Sequence, residues 1–461
     1  MKQKLSNNLK ILFIMIFLIL SVITLTTQNI GTADIGSFTS SAKYFAGDYD
    51  AKIRSSHSYL WGFLNSFHVN IFESFIGFKI VNLIILFLII YSVYFISGKD
   101  KRALFLMLLS PIIWYIAPHI NSLQIASLLF LWSYYFIKKY DESNKLNHLM
   151  YSGILLGLIA CVWHGILFYS IFFIFIFFYN KKTSHTIHYL ISILIGMIPL
   201  FLLDFYLFGF PFHSILKNSF GTLMNIFKLG MNPNIGEIQS WIIYLVLFLI
   251  IPIYFWKLYK KENFIRDTKT MLFLTVVLLM IVKNPQIRYL ILVMPIIILN
   301  LVKTLNQKQL KILFILSVII SFAIVIPYGI DRFPNDKIKE DLNIISEDYP
   351  NEVFVVGNAD DYYSTLANIY WGDKVKEFVS MQDYNLFLKN TSTILERELS
   401  SSPKNLNGRR EIWIKGGISK PKDSINYTSI KYAISLENEL ELENFQLIKK
   451  YQTLSLFGRI K

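Results

Sequence analysis

The chain has 461 residues, of which 54% are hydrophobic, 16% aromatic and only 16% charged, with a mean hydropathy of +0.46. A water-soluble chain with that composition would expose large apolar patches, so an ordinary soluble domain is excluded and the lipid bilayer becomes the solvent for much of the molecule. The formal charge of +14 does not argue for nucleic acid, because residues 1–329 carry a net +16 and residues 330–461 a net −2, which places the basic excess in the apolar part.

In chain order, apolar runs punctuated by charge predict spans near 10–27, 75–97, 103–118, 121–137, 148–163, 164–180, 187–208, 239–256, 270–283, 287–302 and 310–328. Each has to cover about 30 Å of hydrocarbon with roughly 20 residues. The first run follows Lys2 and Lys4 closely enough to suggest a cleaved leader as well, but no clear small-x-small site ends it. Of the 27 Lys and Arg before residue 330, 19 fall in loops on the N-terminal side and eight on the other. Basic residues are retained in the cytoplasm during insertion, so a cytoplasmic N-terminus is expected, and eleven crossings put the C-terminus outside.

Two outer connections are long. Residues 28–74 hold Asp34, Asp48, Asp50, Arg54 and His57, with aromatic and leucine spacing that suits short helices lying at headgroup level. Residues 209–238 interleave apolar residues with Lys217 and Lys228, as in an amphipathic lid over a lipid substrate; a passive interfacial connection reads equally well. The single cysteine, Cys161, falls in the fifth predicted span and has no intrachain disulfide partner.

Residues 330–461 are expected to form a separate extracytoplasmic α/β domain. Strands are predicted at 352–357 and 411–415, a helix between 383 and 399, and a hairpin over 445–460. Gly357 to Asp361 sits where nucleotide-binding folds place ligand contacts, yet with one glycine it reads better as a helix-capping turn. Asn390 and Asn426 open glycosylation triplets, a pattern common by chance.

The outer face offers few chemical groups. Before residue 330 its carboxylates are Asp34, Asp48, Asp50, Glu73, Asp204 and Glu237. Arg288 opens an apolar run, where an arginine costs about 2.5 kcal/mol or more at depth unless it is paired or reaches the interface. His57, His119 and His164 fall at outer span ends, where a lone histidine is more often interfacial than a ligand.

These features together resemble the GT-C superfamily of integral membrane glycosyltransferases. The likeness rests on an Asp in the first outer loop, Asp34, on that loop being long and followed by closely spaced spans, and on the late segment NPQIRYLILVMP at 284–295. That segment is similar to the pattern of a basic residue, an aromatic and then a proline in members dependent on polyprenyl- or dolichyl-phosphate-mannose. The resemblance covers the whole chain in topology and about 60 residues in motif. It implies a catalytic transmembrane part, 1–329, acting on the extracytoplasmic face. A sugar would pass from a polyprenyl- or dolichyl-phosphate donor to a lipid, glycan or protein hydroxyl. Asp34 would be the general base or a metal-linked activator of the acceptor, and Arg288, Tyr289, Arg54, His57 and His119 would bind substrate, with Lys283 a further cation. A divalent cation, magnesium or manganese, is the only cofactor it suggests. Several members carry a second acidic residue between the third and fourth spans, whereas Pro118-His119-Ile120-Asn121 has none; either His119 or Asn121 contacts the sugar or phosphate instead, or Asp48 or Asp50 is the second carboxylate. A cell-envelope polysaccharide polymerase or ligase would differ in using a lipid diphosphate donor. A transporter or flippase would show internal repeats or charges deep in its spans, and the sequence shows no convincing repeat.

Overall fold

In the computed structural model, the residues described are 7–27, 29–31, 35–47, 59–69, 71, 75–162, 183–216, 287–327, 335–356, 377–380, 384, 427–435, 442 and 444–460. The predicted spans 164–180, 239–256 and 270–283, the strand at 411–415, and the predicted helix 383–399 apart from Tyr384 lie outside them. So do Gly357 to Asp361.

Three helices among the described residues are long and apolar enough to cross a bilayer: α1 (Asn7–Thr26), α4 (Ile76–Ile96) and the run Gln307–Val325. In the last, α12 (Gln307–Ile320) continues into a π-turn, Ser321–Val325. A fourth span results if α9 (Thr183–Gly196) and α10 (Ile198–Phe208), bent by 42°, count as one. Exposed Ile11, Ile14, Met15, Leu18 and Val22 on α1, and Leu202, Phe205 and Tyr206 on α10, give these helices an outer apolar surface suited to lipid.

Three runs expected as single spans are broken, each at a proline. Residues 103–118 divide into α5 (Lys101–Leu108) and α6 (Pro111–Ile116), with Pro111 opening the second piece. Pro199 stands at the second position of α10. The late segment is a 3₁₀ turn, Ile287–Leu292, followed by α11 (Met294–Thr304), with Pro295 at its second position. Proline has no N–H to continue the ladder and its ring collides with the carbonyl four residues back, so a new helix starts there. The broken pieces are also the innermost: Ala103 to Leu108 and Met294 to Val302 are all buried. A helix buried on every side can be apolar all round and need not span the hydrocarbon alone.

Around this centre pack α4 and α7 (Leu123–Ser143), and α8 (Leu146–Ile159) packs outside them between α7 and α9. The 28–74 connection contains two short helices, as its aromatic spacing predicts: α2 (Ile35–Phe45) and α3 (Tyr59–Val69), packed on each other.

Beyond the bundle, α13 (Asn335–Asp348) lies on a five-stranded sheet. Its strands are β1 (Val353–Val356), β2 (Glu377–Ser380), β3 (Tyr432–Ser435), β4 (Phe445–Lys450) and β5 (Ser455–Arg459), in the order β2-β1-β3-β5-β4. β1 is parallel to both neighbours, and β3-β5-β4 is antiparallel, with β4 and β5 forming the hairpin expected over 445–460. Alternation along β1 feeds two apolar layers. Phe354 and Val356 join Ile338, Leu342 and Ile345 of α13, while Val355 joins Tyr384, Ala433 and Phe457. The buried Asp341 carboxylate of α13 ties the hairpin turn down, accepting from the amides of Gln452 (3.2 Å), Thr453 (2.6 Å) and Leu454 (2.8 Å).

Candidate functional site

The chain leaving α1 is fixed before it reaches Asp34. Lys79, buried in the first turn of α4, donates to the Thr27 carbonyl just past the end of α1, where free carbonyls and the helix dipole favour a cation. Asn29 then folds back on itself: its Oδ1 accepts from the Gly31 amide at 2.9 Å. Gly31 has φ +88°, a left-handed conformation that a residue with a Cβ resists.

This turn rests on the α6–α7 connection. The Ile120 amide donates to the Ile30 carbonyl at 2.9 Å, and Asn29 Nδ2 lies 3.4 Å from His119 Nε2. With Oδ1 of Asn29 already accepting, Nδ2 is the donor and Nε2 the acceptor, which leaves the proton of a neutral His119 on Nδ1. The His119 ring meets Tyr115 edge-on at 4.6 Å. Its backbone carbonyl accepts from Asn82 Nδ2 and, at 3.4 Å, from Gln124 Nε2. Side chains from α4 and α7 therefore hold the backbone of the His119 turn, and residues 29–31 of the 28–74 connection hold its ring and the following amide. Asn121 Oδ1 accepts from the Leu123 amide at 3.0 Å, joining the turn to the start of α7.

Arg288 and Tyr289 stand on the 3₁₀ turn, both half-buried, with the guanidinium carbon 5.6 Å from the centre of the Tyr289 ring. That turn packs on α6 and α7, the two helices that flank His119. Ser127 of α7 fixes it by donating to the Ile291 carbonyl at 2.8 Å. The structure thus brings the His119 turn and the Arg288 turn onto one pair of helices. Asp34, Asp48, Asp50, Arg54, His57 and Lys283 lie outside the described residues, although the segments on both sides of Asp34 are placed and Ile35 is fully buried.

No group of three or more His, Cys, Asp or Glu that would hold a metal occurs among the described residues. The carboxylates assigned to a magnesium or manganese ion, Asp34, Asp48 and Asp50, are not among them.

Sequence reading missed one polar centre. Asp204 of α10 is fully buried and accepts from Tyr59 Oη, Ser214 Oγ and the Ser214 amide. In the sequence it is one carboxylate near a span end; its partners, 145 and 10 residues away, leave no periodic signal. Asn29, in the polar stretch after α1, and Asn82 and Gln124, in apolar runs, were also missed, since single amides have no motif.

The architecture is that of a mostly helical, polytopic membrane protein with buried, proline-broken inner helices. The chain shares the fold of ArnT from Cupriavidus metallidurans: the crystal structure with bound undecaprenyl phosphate matches with a TM-score of 0.61 over 98% of this chain and 98% of that chain, at 9% identity. The apo crystal structure of the same protein gives a TM-score of 0.42 over 97% of each chain, also at 9% identity. ArnT is a GT-C glycosyltransferase, so the fold agrees with the resemblance drawn from the residues. No protein-family model and no curated protein sequence matches the chain.

Proposed function

We propose that the chain is a membrane glycosyltransferase that takes a sugar from a polyprenyl-phosphate donor and transfers it to a hydroxyl of a lipid, glycan or protein. The observation that carries this reading is the fold shared along almost the whole chain with a GT-C enzyme crystallised with undecaprenyl phosphate. About eleven spans, a cytoplasmic N-terminus, reaction on the outer face and an extracytoplasmic domain at 330–461 complete the proposal; the 19-to-8 bias of basic residues supports the orientation.

With that orientation, α7 and the 287–304 segment both run inward. Ser127 lies about 9 Å below Asn121 at 1.5 Å per helical residue. Ile291 lies about 6 Å below Arg288 at 2.0 Å per 3₁₀ residue. Joined at Ser127 and Ile291, the two turns come to within a few ångströms of the same depth, so a phosphate at Arg288 would stand near His119 and the chain entering Asp34.

Asp34 takes the proton of the acceptor hydroxyl as its oxygen bonds to the anomeric carbon. The bond from that carbon to the donor phosphate breaks, and the polyprenyl phosphate leaves with the electron pair, its charge met by Arg288. Tyr289 keeps the guanidinium oriented through its ring face. His119, Arg54 and His57 are assigned to sugar and phosphate contacts. A divalent cation held by Asp34 with Asp48 or Asp50 would add charge at the phosphate, and no step here depends on it.

The test is sugar transfer from a panel of undecaprenyl-phosphate-linked sugars by the purified full-length chain in lipid nanodiscs. Asp34→Asn keeps size and most hydrogen bonding but removes the base, so turnover should fall roughly 10²-fold or more in a folded protein. Unchanged turnover would remove Asp34 from the mechanism, and absence of transfer from every such donor, with transfer from lipid diphosphates, would replace the donor class.

A further inference from the structure

Asp204 has no part in the chemistry above, yet its surroundings are too specific for a filler of apolar space. Its three described hydrogen bonds come from the two long outer connections. The Tyr59 hydroxyl, at the first residue of α3, donates to Oδ1 at 2.9 Å. Ser214, just beyond α10, donates its hydroxyl to the same Oδ1 at 2.6 Å and its amide to Oδ2 at 2.7 Å. Tyr59 is 1% exposed, and Asp204 and Ser214 are wholly buried. Burial, and then the Asp204 charge, push the Tyr59 phenol well above its ordinary value, so it remains a donor.

Both connections are shaped to arrive there. Gly209 adopts φ +72° at the end of α10 and lets the chain reverse, after which Phe212 packs on Phe201 at 5.1 Å and His213 stacks on Phe208 at 3.9 Å. On the other side, the Leu60 amide donates to the Cys161 carbonyl at 3.1 Å, setting the first turn of α3 beside the end of α8. A carboxylate buried so fully is costly unless its oxygens are bonded. Here one oxygen is shared between donors from both connections.

We infer that Asp204 is a positioning residue that locks the start of α3, in the 28–74 connection, to the start of the 209–238 connection. Its consequence for catalysis rests on the glycosyltransferase reading; the lock itself does not. If the two connections flank the lipid-phosphate donor, their fixed separation sets how the donor is gripped. Loosening the lock should then act on donor KM more than on kcat.

The experiment uses the full-length chain in nanodiscs, comparing wild type with Tyr59→Phe and Ser214→Ala, which are milder than any change at Asp204. The first readout is amide hydrogen exchange over 210–216. Tyr59→Phe leaves Ser214 chemically intact, yet a lock predicts exchange at 210–216 faster by about fivefold or more. Exchange at wild-type rates would overturn the lock. The second readout is transfer from an undecaprenyl-phosphate sugar, where Tyr59→Phe should raise donor KM by about fivefold with kcat within roughly twofold. Faster exchange with unchanged KM would overturn the positioning role and leave a stabilising contact. Should wild type transfer no sugar at all, the glycosyltransferase reading falls, and the exchange measurement still decides the lock.

Discussion

Replacing Gly31 by alanine should damage the site through one contact, and the structure supplies its control. At φ +88° an alanine pays about 1–2 kcal/mol of backbone strain. Its Cβ would stand 3.0 Å from His119 Cγ and 3.2 Å from His119 Cβ, so the ring must yield by a few tenths of an ångström. The ring has little room, since Tyr115 is edge-on at 4.6 Å and the His119 carbonyl is held by Asn82. The Asn29–His119 contact, already 3.4 Å long, should break first. Gly47 lies in the same 28–74 connection with φ +107° and nothing within 4 Å of an added Cβ, so Gly47→Ala carries the strain without the collision. Both variants should lose stability in thermal melts of the purified protein. Only Gly31→Ala should lose transfer, by about tenfold, the equivalent of roughly 1.4 kcal/mol at the transition state. Equal transfer rates for the two variants would refute the argument that His119 is held in place through Gly31.

At Arg288, alanine should cut kcat/KM for the polyprenyl-phosphate donor by roughly 10²-fold, while lysine keeps the charge and loses less; equal losses would mean that the charge is not used. His68 is buried beside Asn65 and Phe78, and burial lowers its pKa from the ordinary 6.5. The unfolded chain therefore binds this proton first, so its contribution to stability should be level above about pH 7 and fall as pH drops below about 6.5. Melting temperatures from pH 8 to 5 should show that slope, and His68→Gln should flatten it; an unchanged slope would assign it elsewhere. Asp341→Ala strands three hairpin amides, a loss of about 3 kcal/mol, or exchange roughly 10²-fold faster at 452–454. Wild-type protection there would show that the hairpin turn holds without the carboxylate.

Hydropathy located the apolar helices among the described residues, though not the polar α13, because a bilayer demands long apolar runs and few charges whatever the tertiary structure. It failed at the breaks for a reason also present in the sequence: Pro111, Pro199 and Pro295 each lie inside a run treated as continuous. In a lone lipid-exposed helix those prolines would only kink the path. Inside a bundle the freed groups find partners, as where Ser127 donates to Ile291 and Ser321 to Leu109, and the chain can restart. The β4–β5 hairpin was legible from its apolar, β-rich run over 445–460. By contrast, β2 (EFVS) and β3 (YAIS) lack the unbroken apolar run that marks the equally short β1 (VFVV), and are strands because β1 and β5 pair with them.

The site divides along the same line. Arg288 stood out through the cost of an arginine opening an apolar run, and His119 only through the family resemblance, at a turn that lacks the acidic residue of several members. Nothing local couples them: the link runs through Ser127, which reads as an unremarkable small residue in α7. The support of His119 likewise comes from Asn29, Asn82 and Gln124, three amides on α4, α7 and the chain after α1. Amides can enter apolar surroundings uncharged, at the cost of needing hydrogen-bond partners, and so mark places where the bundle must fix a backbone turn. In a membrane bundle, then, a buried Asn or Gln on an inner helix is evidence about which loop is held still. Here Asn82 and Gln124 of two helices, with Asn29 from the chain after α1, converge on the His119 turn.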